Sequence, residues 1–216
     1  MRLAVPRAGR VRGDRRRAVP VPEGWGAGGG AWGCMQSHRQ VLERAISDQV
    51  GALLVLEDDA CFRPGFRQEV ERFLAAAPDD WDQLMLGGQH MATPRAAGPG
   101  VVRCVNCQRT HAYAIRGPFL RHLYSRWCAA SGHCDHIMGP MQGGYRVYAP
   151  DPFLVGQAQG PSDISGARNP AKFWVPPSAD AAIALVRGPA RSWRPSGGAA
   201  CTPATTATRP RGSTAA

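Results

Sequence analysis

Apolar positions in this chain fall into short blocks that switch between helical and strand-like spacing. In "MQSHRQVLERAISDQV" (35–50), Val41, Leu42, Ala45 and Ile46 lie on one helical face. Ser37 stands where a helix N-terminus would use its side-chain oxygen on free backbone N–H groups. Gly51 breaks the pattern, and "ALLVL" (52–56) is the continuous apolar run expected of a strand buried on both faces. Phe66, Val70, Phe73 and Leu74 mark a second amphipathic helix ending near Pro78. "WDQLMLGG" (81–88) reads as another buried strand, stopped by Gly87 and Gly88, which permit an unusual backbone path or the close approach of a ligand. A polar, Pro/Gly-rich loop is expected over 89–100, a strand at "HAYAI" (111–115), a helix at 118–130 and a last strand over 145–155. Helices alternating with buried strands indicate an α/β sheet.

The ends of the chain lack this periodicity. Residues 1–23 are rich in arginine and read as a basic, loosely ordered arm, and the Pro/Ala/Thr-rich stretch 177–216 reads as a disordered tail. One domain over 24–176 remains, a size that supports a single core. The formal charge is +10, but Lys172 is the only lysine. An arginine excess beside 26 glycines and 19 prolines matches GC-rich coding as well as selection for a basic surface. The arginines are not interleaved with aromatics as on a base-stacking surface, which argues against a specific nucleic-acid partner. No run approaches the roughly 20 apolar residues of a membrane span, and the N-terminus lacks the apolar segment of a secretory signal. The expected location is cytoplasmic, extending to peripheral association with the inner face of the membrane. Seven scattered cysteines do not resemble a small secreted disulfide framework.

The aliphatic strand at 52–56 runs directly into Glu57, Asp58 and Asp59. Carboxylates about 4 Å apart repel by a few kcal/mol at an effective dielectric near 20, and a hard divalent cation offsets that cost. In an extended segment Glu57 and Asp59 share a face, a D-x-D-like grip suited to manganese or magnesium together with substrate phosphate oxygens. The competing reading is an acidic turn in which Asp58 or Asp59 caps a bend.

"WGCMQSH...ALLVLEDDACFRPGF...PDDWDQLMLGG", followed by "THAYAI" (110–115), "HCDHIM" (133–138), "VYAPDPFLVGQ" (147–157) and "SDI" (162–164), resembles glycosyltransferase family 25, the lipopolysaccharide-type and procollagen-type galactosyltransferases. The resemblance implies a GT-A-like, nucleotide-diphospho-sugar transferase fold: a mainly parallel sheet flanked by helices. The first strand is poorly represented here, with only "RLAV" before a basic "RVRGDRRRAVP". It implies transfer of a sugar, galactose by family analogy, from a nucleotide-sugar donor such as UDP-galactose to a glycan or lipid-linked acceptor, assisted by Mn2+ or Mg2+. Carried over by position, Glu57, Asp58 and Asp59 would hold the metal and diphosphate, and Asp135 would be the base if the reaction inverts. Ser37, His38, Gly87, Gly88, His111, Gln157, Ser162 and Asp163 would line the donor and acceptor sites. Asp135 also reads as a plain helix cap, Ser37–His38 as an N-cap with a packed histidine, and Asp163 as a tight turn.

Two other classes stay open. One is a family-like binding protein with an impaired donor site. The other is a structural zinc protein using Cys104-x-x-Cys107, completed by His111, Cys128, Cys134 or His136. A magnesium phosphohydrolase would need an adjacent nucleophile that no motif announces.

Overall fold

The computed structural model describes residues 20–162 together with Ile164, Gly166, Arg168 and Asn169. Most of the expected arm, all of the expected tail and Asp163 lie outside the described residues.

The first helix, α1 (Gly28–Ser47), begins well before its expected start. Its buried stripe is Ala31, Met35, His38, Leu42 and Ala45, alternating steps of four and three that keep one face inward. Glycine costs about 1 kcal/mol relative to alanine inside a helix. Burial of that stripe outweighs the penalty, so the glycine-rich stretch is helical rather than a loop. Ser37 is therefore not an N-cap: its hydroxyl donates to the Gly33 carbonyl one turn back, at 3.0 Å.

The chain continues through β1 (Ala52–Leu56), β2 (Ala60–Phe62), α2 (Phe66–Ala76), β3 (Gln83–Met85), β4 (Gln89–His90), β5 (Arg95–Gly98), β6 (Val101–Arg103), β7 (Cys107–Gln108), β8 (Ala112–Arg116), α3 (Gly117–Ala129), α4 (Cys134–Met141), β9 (Val147–Pro150) and β10 (Val155–Gln157). Six strands form one sheet in the order β1-β8-β3-β9-β6-β5. Only β3 and β9 run parallel; β1–β8, β3–β8, β6–β9 and β5–β6 are antiparallel. The α/β class is as expected, but among the described residues a mainly parallel sheet is not what forms. Two local events turn it: β8 inserts antiparallel between β1 and β3, and the expected loop 89–100 folds instead into β4 and the first strand of the β5–β6 hairpin. That hairpin closes over Pro99 and Gly100, with Gly100 at φ +66°, a conformation open to glycine.

Strand alternation divides the core. Met85, Tyr113, Ile115, Val147 and Ala149 face α1, α3 and α4, where Met35, Leu42, Phe119, Leu123, Trp127 and Met138 are buried. Leu84, Leu86, Ala112 and Tyr148 face the other way, onto Phe73 of α2 and Trp81. β1 departs from the expectation of burial on both faces. It sits at the edge, with Val55 buried while Leu54 and Leu56 are 55% and 44% exposed. The expected last strand also divides: β9 belongs to the large sheet, whereas β10 pairs with β2, the interruption falling at Asp151–Pro152, where proline has no N–H to donate.

Candidate functional site

β1 and β2 belong to different sheets, and Glu57, Asp58 and Asp59 form the turn between them. The Ala60 amide donates to the Glu57 carbonyl, at 3.1 Å. The segment is thus bent rather than extended, and the expected shared face of Glu57 and Asp59 is lost. The two carboxylates have different surroundings.

Glu57 turns toward α1. Its Oε1 accepts from Nε2 of His38 at 3.1 Å and from Oγ1 of Thr110 at 2.7 Å. His38 is buried, and its Nδ1 meets the Tyr113 hydroxyl at 3.3 Å. Burial alone would neutralise both members of this pair. Against it, the Glu57 hydrogen bond and charge, with Cys134 nearby, raise His38 above its ordinary pKa; the His38 bond and charge, helped by Thr110, hold Glu57 below its own. The contact between His38 and Glu57 thus favours the charged form of each against the cost of burial.

Asp59 turns toward β10. Its Oδ2 accepts from Gln157 at 3.2 Å, while its Oδ1 is buried without a hydrogen-bond partner. Burial, followed by the Glu57 charge, pushes its pKa up to about 6. Asp58 is exposed. The family-implied cation therefore fits Asp59 best, because an orphaned buried oxygen on a disfavoured carboxylate is what a cation would relieve. Glu57 fits poorly, since one oxygen already serves two donors. The three carboxylates do not converge; among the described residues the triads of potential ligand atoms lie at Cys34, His38 and Cys134 and at His90, Cys104 and Cys107.

Asp135 is buried in the first turn of α4, behind an N-cap at His133, so it is not the cap residue. Its Oδ2 accepts the Arg109 amide at 3.2 Å, and its Oδ1 accepts the His136 amide at 3.0 Å. Arg109 has φ +80°, an uncommon conformation for a side chain of this size, and the Asp135 contact pins it. Arg109 also reaches Gln89 at 3.0 Å. Beside it, Cys34 and Cys134 stand 3.7 Å apart sulfur to sulfur, and Cys134 lies 3.7 Å from Thr110.

The two glycines and His111 have protein, not open space, around them. A Cβ on Gly87 would strike the His111 ring and the Val155 carbonyl; one on Gly88 would strike Cys107 and the Gln108 carbonyl. Their role is to let packed groups approach the backbone. His111 is fully buried, donates from Nε2 to the Val155 carbonyl at 3.2 Å, and is kept neutral mainly by burial. Ser162 is half-buried, its carbonyl accepting the Gly166 amide at 2.8 Å. The structure thus gathers His38, Glu57, Asp59 and Gln157 at one strand end, with Asp135 beyond Cys134; Ser37 binds only within its own helix. Sequence reasoning missed Thr110, Tyr113 and the Cys34–Cys134 pair. Thr110 and Tyr113 were visible in "THAYAI", but only the packing of β8 against α1 assigns them partners.

The α/β chain thus sets an acidic turn, a histidine–carboxylate pair and a second carboxylate disfavoured by burial at one strand end, the kind of perturbed cluster from which functional sites are drawn. Comparison with known proteins narrows the class. Residues 27–95 match the model of glycosyltransferase family 25 (LPS biosynthesis protein), so the family resemblance is shown over that segment. The human protein named "Inactive glycosyltransferase 25 family member 3" is 31% identical over 94 residues, which is 40% of this chain and 16% of that protein. This chain therefore spans under a fifth of that relative's length. The family-model segment contains Ser37, His38, Glu57, Asp58, Asp59, Gly87 and Gly88; His111, Asp135, Gln157 and Ser162 lie beyond it. Among the described residues no helix is long and apolar enough to cross a membrane.

Proposed function

We propose that the chain transfers a sugar from a nucleotide-diphosphate donor, with galactose as the first sugar to test and a glycan or lipid-linked acceptor, and that the strand-end turn is its diphosphate site. One observation carries the reading: inside the family-matched segment, Asp59 presents a buried, unpartnered oxygen and a pKa raised to about 6. A carboxylate held in that state gains by binding a cation or a proton. Asp59, with Asp58 next to it in the turn, would hold Mn2+ or Mg2+, which would offset the charge of the departing diphosphate. Glu57 then acts through His38, favouring its charged form and orienting the ring by their 3.1 Å contact. Gln157 orients Asp59. For an inverting transfer, Asp135 is the base for the acceptor hydroxyl, and release of the Arg109 amide would free one of its oxygens for that proton.

A second reading, a family fold that binds but does not transfer, is favoured by the name of the human relative and by the engagement of both Asp135 oxygens. A donor screen separates the two. Purified protein is incubated with UDP-galactose and other nucleotide sugars, with and without manganese, and donor cleavage is compared among wild type, Asp59→Asn and Asp135→Asn. Transfer predicts manganese-dependent cleavage reduced at least about 100-fold in both variants. Donor binding by wild type without cleavage establishes the second reading, and cleavage equal in all three proteins rejects the assigned roles.

A further inference from the structure

We propose a zinc site, separate from the strand-end turn, formed by His90, Cys104 and Cys107. Their three ligand atoms lie within 4.8 Å of one another, and all three residues are buried. A tetrahedral zinc with two thiolates and one imidazole holds its ligand atoms about 3.5–3.8 Å apart, so closing onto an ion needs movements of about an ångström or less.

The backbone builds the group. β4 and β7 pair antiparallel with His90 directly opposite Cys107, and Cys104 is brought back by a tight turn whose Asn106 carbonyl accepts the Met91 amide at 2.8 Å. Gly88, two residues before His90, lets the Cys107 sulfur approach the chain more closely than any side chain would allow. Gln142 secures the ribbon, accepting the Cys107 amide at 2.7 Å and donating to its carbonyl at 3.1 Å.

The independent sign of a ligand is His90 itself. It is 5% exposed and stacked on Phe153, yet neither ring nitrogen has a hydrogen-bond partner. A buried imidazole leaving both nitrogens unsatisfied is costly, and a metal bond to one of them removes part of that cost. The other triad, Cys34, His38 and Cys134, lacks this sign, because both His38 nitrogens are already engaged. Of the partners expected for Cys104 and Cys107, Cys134 stands with Cys34 and His38 instead, His111 spends Nε2 on the Val155 carbonyl and lies outside the triad, Cys128 is exposed and His136 lies beside Asp135. Two thiolates and an imidazole suit zinc better than the oxygen-seeking manganese or magnesium proposed at Asp59. Binding converts both thiols to thiolates with release of two protons, and leaves the fourth position to water or a backbone oxygen. Because Gln108, Arg109 and Thr110 follow Cys107 directly, the ion would brace the segment that presents Thr110 to Glu57.

The test uses the full chain purified under reducing conditions without added metal or chelator. Zinc is counted by mass spectrometry in wild type, His90→Ala, Cys104→Ser and Cys34→Ser. The expected result is about one zinc per wild-type chain, retained in Cys34→Ser and lost in the other two. In parallel, wild-type protein with and without a chelator is alkylated, and the sites are mapped; zinc should slow modification of Cys104 and Cys107 selectively, even where a variant fails to fold. Absence of zinc from wild type that also takes up none on incubation with zinc, a Cys104–Cys107 disulfide in its place, or zinc that protects Cys34 and Cys134 instead would overturn the assignment.

Discussion

Asp59 and Glu57 are two residues apart on one turn, yet their surroundings push them in opposite directions. Glu57 is held below its ordinary pKa by His38 and Thr110, whereas burial and the neighbouring Glu57 charge push Asp59 up to about 6 from 3.8, against the Gln157 hydrogen bond. Between those two values the folded chain keeps the Asp59 proton while the unfolded chain has lost it. Stability therefore falls as pH climbs from about 4 to about 6, and the loss is complete above that. A shift of that size would be worth about 3 kcal/mol in full burial, but Asp59 is only half-buried, and solvent screening reduces it to about 1 kcal/mol. Asp59→Asn should therefore melt about 3 °C above wild type at pH 7.5 without metal, the gap closing toward pH 4. Manganese should raise the melting temperature of wild type alone. Scanning fluorimetry checks both, and a variant no more stable than wild type at pH 7.5 would refute the burial account.

At the scale of elements, glycine has opposite meanings in two places. Gly33 sits on the outer face of α1, where a Cβ would meet nothing within 4 Å, and Gly33→Ala should stabilise the chain by about 0.5–1 kcal/mol. Gly87 sits after β3 with a backbone carbonyl and a buried imidazole against it, neither of which can move without disturbing β10 and β8. Gly87→Ala should cost about 2–3 kcal/mol, read as a lower denaturation midpoint in urea. In the sequence Gly87 reads as the stop of a strand, and Gly33 lies just ahead of the expected helix. It could not distinguish a helix tolerating glycine from a strand end requiring it, because that depends on which distant segment packs there.

Across the whole molecule, protection should follow position in the sheet. β3 is bracketed by β8 and β9 and buried on both faces, whereas β5 lies at an edge with every residue exposed. Hydrogen exchange followed by mass spectrometry should find β3 amides opening only near the global unfolding free energy and β5 amides exchanging orders of magnitude faster. Equal protection would contradict the strand order. The same order accounts for the departure from a mainly parallel sheet: hydrophobic spacing locates strands but carries no sign for direction, and β8 binds β1 and β3 antiparallel through contacts more than 25 residues away in sequence.

The sequence by itself determined the α/β class, the helix ending near Pro78, the strands around 52–56, 81–88 and 111–115, and the family resemblance, because periodicity and short motifs are local properties. Only the tertiary structure decided that the carboxylates diverge, that His38 and Thr110 converge on Glu57, and that His90 faces Cys104 and Cys107. Each of those pairings joins residues 14 or more positions apart, and such proximity is set by packing and strand register rather than by neighbours along the chain.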